Sequence, residues 1–211
     1  MTTRPVGLTR DLPAARVMRA RVDGTEIAVW RGSDGRIAAW NNRCPHRGMA
    51  LSHGFVRGNT LACLYHGWHF DGTGRCRQIP AHPDLEPPET IHAQPYAVVE
   101  TGGVIWVALE GAARGADTGL DPLRSFLVGA GEAAVMAAFA ATPCNGTAPE
   151  GLKNGQVQID GDRVAVLCNP VGPAQTQVTV LAGQGASVAR RKTLSRWCEA
   201  ARRAAEAEGG S

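Results

Sequence analysis

Hydrophobic and polar residues alternate in short runs over the first 112 residues, and turn-forming dipeptides separate the runs. Alternation with a period of two is typical of strands that bury one face. Asp23-Gly24, Asp34-Gly35 and Gly102-Gly103 supply hairpin turns. The predicted strands are residues 15–20, 26–30, 36–40, 60–63, 76–79, 96–100 and 104–109. The pattern therefore predicts a mainly β region, an antiparallel β sandwich, over residues 1–112.

The pattern changes in the second half of the chain. Residues 113–120 are rich in Gly and Ala and predict a linker. Three further strands are predicted at residues 156–159, 163–167 and 176–181, and a helix at residues 193–208. That helix carries one apolar stripe, formed by Leu194, Trp197, Cys198, Ala201 and Ala205. Residues 121–211 are thus expected to form a small α+β region that ends in a helix.

Composition and charge narrow the class of protein. An apolar content of 44% in 211 residues is enough to bury a core. The net charge of +3 is evenly spread, with 12 basic and 10 acidic residues up to residue 112 and 10 and 9 after it, so nucleic acid is not an expected partner. Residues 1–21 lack the apolar segment of a signal peptide, and Glu132 interrupts the short apolar stretch 126–142. We therefore expect a cytoplasmic protein without a membrane span.

Two short motifs combine cysteine with histidine. Cys44 and His46 form C-x-H, and after sixteen intervening residues Cys63 and His66 form C-x-x-H. Two Cys and two His are the ligands of a [2Fe-2S] cluster in which one iron takes two thiolates and the other takes two imidazoles. These four residues are the candidate metal ligands. The remaining cysteines are expected to be small buried apolar residues: Cys76, Cys144, Cys168 and Cys198.

Zinc is the competing metal for this ligand set. Zn²⁺ also accepts two Cys and two His, but its ligands usually come as one C-x(2–4)-C pair and one H-x(3–5)-H pair around a single ion. In this chain each pair is mixed, and the first has a single intervening residue. The spacing favours an iron-sulfur cluster.

The residues around these motifs resemble a known family. The segments 44–48 (CPHRG) and 63–72 (CLYHGWHFDG), with Leu51, Ser52 and Gly54 between them, are similar to the Rieske domain of ring-hydroxylating and demethylating oxygenase α subunits. Respiratory Rieske proteins instead carry a disulfide-forming Cys in each loop, where this chain has Met49 and Tyr65. They also have a Ser where this chain has Trp68.

The resemblance implies one Rieske-type [2Fe-2S] cluster per chain. It implies that Cys44 and Cys63 hold the buried iron and that His46 and His66 hold the iron nearer the surface. Without the disulfide and the hydroxyl donor we expect a potential at the low end of the Rieske range, roughly −150 mV. Four neighbours are candidates for shielding the cluster or tuning its potential: Arg47, Tyr65, Trp68 and Phe70. For Trp68 and Phe70, ordinary core packing is an equally open interpretation.

Oxygen chemistry is not carried over by the resemblance. Oxygenases of this family activate O2 at an iron held by two His and one carboxylate. All six His of this chain, at positions 46, 53, 66, 69, 82 and 92, precede residue 93. We therefore interpret the chain as an electron-transfer component that takes electrons from a reductase or ferredoxin and passes them to an oxygenase-type acceptor. The alternative is a reduced, inactive oxygenase relative that acts as a redox sensor or partner-binding module.

Overall fold

The computed structural model describes residues 3–153 and 155–208. The chain divides into two compact units. The first contains Thr9–Val99 and Trp106–Arg114, and the second contains Arg4–Leu8, Glu100–Ile105 and the chain from Gly115 onward. Each unit has its own hydrophobic core.

Short strands dominate the first half of the chain. They are β1 (Thr3–Leu8), β2 (Arg16–Val22), β3 (Thr25–Arg31), β4 (Ile37–Asn41), β5 (Phe55–Arg57), β6 (Thr60–Ala62), β7 (His69–Asp71), β8 (Cys76–Gln78), β9 (Pro95–Thr101) and β10 (Val104–Ala108). One sheet has the strand order β1-β10-β9-β4-β3-β2, and a second has the order β5-β6-β7-β8. Single 3-10 turns lie at Thr9–Asp11 and Leu51–His53.

The first core lies between these two sheets. Its members include Trp30 and Trp40 from the larger sheet and Leu61, Phe70 and Cys76 from the smaller one. Neighbouring strands pair antiparallel from β2 to β4 and from β5 to β8. The predicted antiparallel β sandwich is confirmed.

The second half of the chain forms a five-stranded sheet with two helices. Its elements are β11 (Asp121–Val128), α1 (Glu132–Ala141), β12 (Glu150–Lys153), β13 (Gln156–Ile159), β14 (Asp162–Gly172), β15 (Gln175–Ala182) and α2 (Val188–Glu208). The strand order is β11-β15-β14-β13-β12, with antiparallel neighbours. Both helices contribute to one core with the sheet, so the predicted α+β region with a terminal helix is confirmed.

Several details differ from the sequence predictions. The terminal helix starts at Val188 rather than at residue 193. The prediction missed its first turn because that turn is largely exposed and shows no apolar periodicity. Five strands, β1, β5, β7, β11 and β12, and helix α1 were not predicted. Three of the four remaining cysteines are buried as expected, but Cys168 is only half-buried, beside Met136 on α1.

Within the described residues, neither helix combines the length and the apolar composition that crossing a membrane would require.

Candidate functional site

The two cysteine-histidine motifs adopt the same backbone turn. In each, the cysteine N–H donates to the carbonyl five residues later, and the N–H four residues later donates back to the cysteine carbonyl. These bonds measure 2.8 and 2.8 Å in the loop at Cys44, and 2.9 and 3.0 Å in the loop at Cys63. The residue four positions on is glycine in both loops, Gly48 with φ of 73° and Gly67 with φ of 68°, a conformation that favours glycine. C-x-H and C-x-x-H are therefore two variants of one local structure.

The loops bury their thiols and expose their imidazoles. Cys44 and Cys63 are buried in the first core, His46 is half-buried and His66 is exposed. The two imidazole rings lie 4.6 Å apart between centroids. The four side chains thus converge on one end of the sandwich, with sulfur inside and nitrogen outside.

The protonation of these groups depends on the same arrangement. Burial raises the pKa of the Cys44 thiol, while the backbone N–H groups of His46 and Arg47, which hydrogen-bond to its sulfur, act in the opposite direction. The neighbouring Cys63 thiol raises that pKa further. Loss of solvation lowers the pKa of His46, and the nearby His66 and Arg47 lower it too. Metal ligation requires a deprotonated thiol and a neutral imidazole, so His46 is already biased toward the form that binds metal.

Aromatic side chains lie against both imidazoles. Trp68 stacks on His46, with ring centroids 4.1 Å apart and 6° between the planes. The ring centroids of Tyr65 and His66 lie 3.9 Å apart, and Tyr65 is 59% exposed. Phe70, by contrast, is fully buried in the core at an edge-on contact with Trp40. Trp68 and Tyr65 touch the candidate ligands directly, whereas Phe70 occupies a core position.

Asn42 holds the first loop closed, although no motif in the sequence marks it. The residue is 2% exposed. Its Oδ1 accepts the Ser52 N–H at 2.7 Å, and its carbonyl accepts the Leu51 N–H at 3.3 Å, so residues on both sides of the loop are joined. Its own N–H donates to the Glu26 carbonyl at 2.9 Å. The only signal in the sequence is a polar residue at the end of an apolar strand.

The ends of the two loops lie in a segment without carboxylates. Residues 35–70 contain no Asp or Glu, but they contain four Arg and four of the six His. Arg43 packs over the first loop, because a Cβ on Gly48 would lie 3.3 Å from its guanidinium. Arg43 and Arg47 are both exposed, and neither forms an ion pair within residues 3–153 and 155–208. The surface around the imidazoles is therefore positively charged.

The donor set fits a binuclear cluster better than a single metal ion. Two thiols and two imidazoles match the ligands of a cluster that has two Cys on one iron and two His on the other. Among the described residues, no three or more His, Cys, Asp or Glu side chains surround a point where one metal ion would be held. A binuclear cluster divides its protein ligands between two irons, so such a group of three around one point is not required to hold it.

Comparison with known proteins identifies the N-terminal half. Residues 2–104 match the family model of the Rieske [2Fe-2S] domain. Oxidoreductase NdmD of Pseudomonas putida is 45% identical over 106 residues, which are 50% of this chain and 18% of that protein. The 4beta-methylsterol monooxygenase of Methylococcus capsulatus is 43% identical over 100 residues, which are 46% of this chain and 27% of that protein. The chain thus matches less than a third of the length of these relatives.

Solved structures resemble a longer part of the chain. Apo dicamba monooxygenase aligns with a TM-score of 0.76 at 16% identity, covering 99% of this chain and 86% of that one. NdmA of Pseudomonas putida CBB5 aligns with a TM-score of 0.73 at 17% identity, covering 99% and 80%. At these identities the likeness concerns the fold alone.

The Cys and His loops, the sandwich that carries them and the family match concern the same residues. Residues 2–104 of this chain are a Rieske [2Fe-2S] domain related to those of oxygenase components, and its cofactor is a Rieske-type [2Fe-2S] cluster.

Proposed function

We propose that this chain is an electron-transfer component in which Cys44 and Cys63 hold one iron of the cluster and His46 and His66 hold the other. It would accept single electrons from a reductase or ferredoxin and pass them to the catalytic iron of an oxygenase. The observation that carries the proposal is the convergence of the two buried thiols and the two imidazoles on one end of the sandwich. When bound, the cluster supplies a site that takes up and releases one electron at a time.

The exposed imidazole edge is the proposed route for electrons. His66 is exposed and His46 half-buried, whereas both cysteines are buried. Trp68 covers one face of the His46 ring and so limits the access of water. A partner that docks on the imidazole edge would come closest to the cluster, with no polypeptide between.

The surface beside this edge indicates what kind of partner would dock. Leu64 and Tyr65, next to His66, are 48% and 59% exposed. Arg43 and Arg47 are exposed on the other loop, and residues 35–70 offer no carboxylate to balance them. An apolar centre beside unpaired cations suits an acidic surface, because opposite charges accelerate association. We infer an acidic electron donor or acceptor.

The acceptor iron would come from residues outside this sequence. The two-His, one-carboxylate site of an oxygenase needs two imidazoles. This chain has none after residue 92. We propose that residues 1–112 act as the electron-transfer domain, that residues 113–120 link it to the rest, and that residues 121–211 provide a docking surface.

A second candidate function follows from the fold of the whole chain. The likeness to dicamba monooxygenase covers 99% of this chain, although the chain lacks the imidazoles for a catalytic iron. The alternative is therefore an oxygenase relative without turnover, whose cluster senses redox state or stabilises a partner complex.

The ligand assignment is tested with purified protein. We expect about two irons per chain and a Rieske EPR signal, with a midpoint potential of roughly −150 mV. His66→Ala should abolish that signal, whereas His82→Ala, an exposed histidine outside the loops, should retain it. An intact signal in His66→Ala would disprove the ligand assignment. Three irons per chain, or a clearly positive potential, would contradict the proposed electron carrier of oxygenase type.

Partner docking is tested by stopped-flow reduction with an acidic ferredoxin. The rate should fall as ionic strength rises, because salt screens attraction between exposed charges. Arg47→Glu should slow reduction further at low salt, whereas Arg196→Glu, an equal charge change in the second unit, should have little effect. A rate that is the same for both variants would argue against docking at the imidazole edge. Turnover of a partner oxygenase that depends on this chain would support the electron carrier, whereas no turnover would favour the redox sensor.

A further inference from the structure

A polar cavity lies in the first unit, and it contains none of the four candidate cluster ligands. It has a volume of about 260 Å³. It is lined by the start of β2, the segment after the first ligand loop, and β5: Ala15, Arg16, Val17, Ser52, Gly54, Phe55, Val56 and Arg57. This volume is below the range usual for drug-sized ligands, about 300–1,000 Å³, and leaves room for a small ion with a few waters.

The cavity is lined by two cations and no anion. Arg16 and Arg57 are exposed, and neither guanidinium pairs with a carboxylate in the described part of the chain. Arg57 is positioned by the ring of Phe55, whose centroid lies 5.5 Å from its guanidinium carbon. Both arginines line the cavity, so an anion bound there would place its negative charge near two positive charges.

The hydroxyl of Ser52 points to the same conclusion independently. Its Oγ is buried and has no hydrogen-bond partner in the structure, although the backbone N–H of Ser52 is paired with Asn42. Buried hydroxyls nearly always have a partner, so an unpaired one needs an explanation. Ser52 lines the cavity, so rotation of its side chain about the Cα–Cβ bond would bring this hydroxyl to an acceptor bound there.

We propose that Arg16, Ser52 and Arg57 form a binding site for a small oxyanion of the phosphate type. Guanidiniums present paired N–H donors that match the oxygen spacing of phosphate and carboxylate. The Ser52 hydroxyl donates to a third oxygen. Val17 and Val56 also line the cavity, and such apolar neighbours strengthen charge-assisted hydrogen bonds by limiting water.

The site is close to both ligand loops. Ser52 is three residues after Met49, which closes the first loop. Gly54 contacts the residue before Cys63 so tightly that a Cβ on it would lie 2.3 Å from the Ala62 carbonyl oxygen. A bound anion would place negative charge near the cluster and make uptake of an electron less favourable. This last consequence rests on the proposed function, whereas anion binding itself does not.

The experiment is calorimetric titration of the cluster-loaded protein with inorganic phosphate in a phosphate-free buffer of constant ionic strength. We expect saturable binding of one phosphate per chain. Arg57→Gln and Ser52→Ala should each weaken binding about tenfold, the loss of one charge-assisted hydrogen bond. Arg196→Gln, which removes an exposed charge in the second unit, should leave binding unchanged.

Further titrations define the anion and the role of the site. Acetate binding as tightly as phosphate would assign the site to oxyanions generally, including a carboxylate of a partner, and would still support it. No saturable phosphate binding, or equal binding by wild type, Arg57→Gln and Arg16→Gln, would overturn the proposal. Each variant is compared only after its cluster absorbance and melting temperature match those of wild type. Because no reductase is present, failure here is distinct from failure of electron transfer.

Discussion

At the scale of single residues, the site depends on polar groups that fasten the ligand loops as well as on the ligands. Asn42 is the clearest example, since its side chain and backbone join strand β3 to both ends of the first loop. Glu26 supports Asn42 from β3 and is itself held by Arg19 and Arg21. The geometry of the first loop therefore depends on a short chain of hydrogen bonds.

Replacing Asn42 tests this dependence. Asn42→Ala leaves the Ser52 N–H without its acceptor and should lower the free energy of unfolding by about 1–3 kcal/mol. Loss of cluster absorbance on incubation should also be faster. Asn41→Ala is the control, because Asn41 is less buried and makes one longer bond, 3.3 Å to Tyr96. Equal cluster retention in the two variants would contradict a special role for Asn42.

Because Glu26 is a titratable carboxyl, we predict that the stability of the first loop depends on pH. The guanidinium of Arg21, with Arg19 beside it, lowers the pKa of Glu26 from 4.5 to about 2. A carboxyl whose pKa is lower in the folded state stabilises the fold above pH 4.5 and loses that contribution as the pH falls toward 2. Because Glu26 is over a third exposed, we expect a small effect.

The measurement compares rates of cluster loss in wild type and Glu26→Gln. The variant should lose its cluster faster at neutral pH, and the two rates should converge as the pH falls below 4.5. Asp84→Asn, an exposed carboxyl on a loop, is the matched control and should follow wild type. If the difference in the rate of cluster loss between Glu26→Gln and wild type did not change with pH, titration of Glu26 would not be its cause.

At the scale of elements, some could be predicted from the sequence and others could not. The strands around Asp160-Gly161 were predicted because alternation and a turn coincide there. Helix α1 shows no polar face, since it consists largely of Ala with Val135 and Phe139 buried, so periodicity does not reveal it. The start of α2 is marked instead by Ser187, whose Oγ accepts the N–H of Arg190 at 3.2 Å.

The contact between α1 and α2 is the main test at this scale. Trp197 packs edge-on against Phe139 at 5.0 Å, and its Nε1 donates to the Thr142 carbonyl at 2.9 Å. Trp197→Ala should cost about 3–5 kcal/mol in the stability of the second unit, measured by urea unfolding. Trp197→Phe keeps an aromatic ring but loses the hydrogen bond, and should cost less. Equal costs would show that the hydrogen bond, and not the packing, dominates.

At the scale of the whole molecule, the two units have separate cores. The core of the first unit includes Cys44 and Cys63, whereas the core of the second contains neither. Residues that bind a metal centre contribute its binding free energy to folding. The folding stability of the first unit should therefore depend on the cluster, whereas that of the second unit should not.

Removing iron from the intact chain tests this difference. A chelator should lower the melting temperature of the first unit, while the transition of the second unit should stay nearly unchanged. Calorimetry with and without chelator measures both transitions, and Trp197→Ala identifies the second by shifting it alone. A single transition that moves as one with chelator would contradict independent cores.

The sequence by itself determined the chemistry of this protein, because that chemistry is local. The identity and spacing of two Cys and two His predict the ligand set, and each pair lies within one turn. The absence of imidazoles after residue 92 is likewise read from the sequence alone. Strand alternation likewise predicts the sandwich, because a strand that buries one face alternates apolar and polar residues along the chain.

Only the tertiary structure decided how that chemistry is held and what surrounds it. The bonds of Asn42 to Glu26 and Ser52, the stacking of Trp68 on His46, and the cavity shared by Arg16 and Arg57 all join residues that are distant in the sequence. No short pattern encodes such contacts, because they depend on how the strands pair and how the loops pack. The candidate ligands can be predicted along the chain, whereas the contacts that support them appear only when the chain is folded.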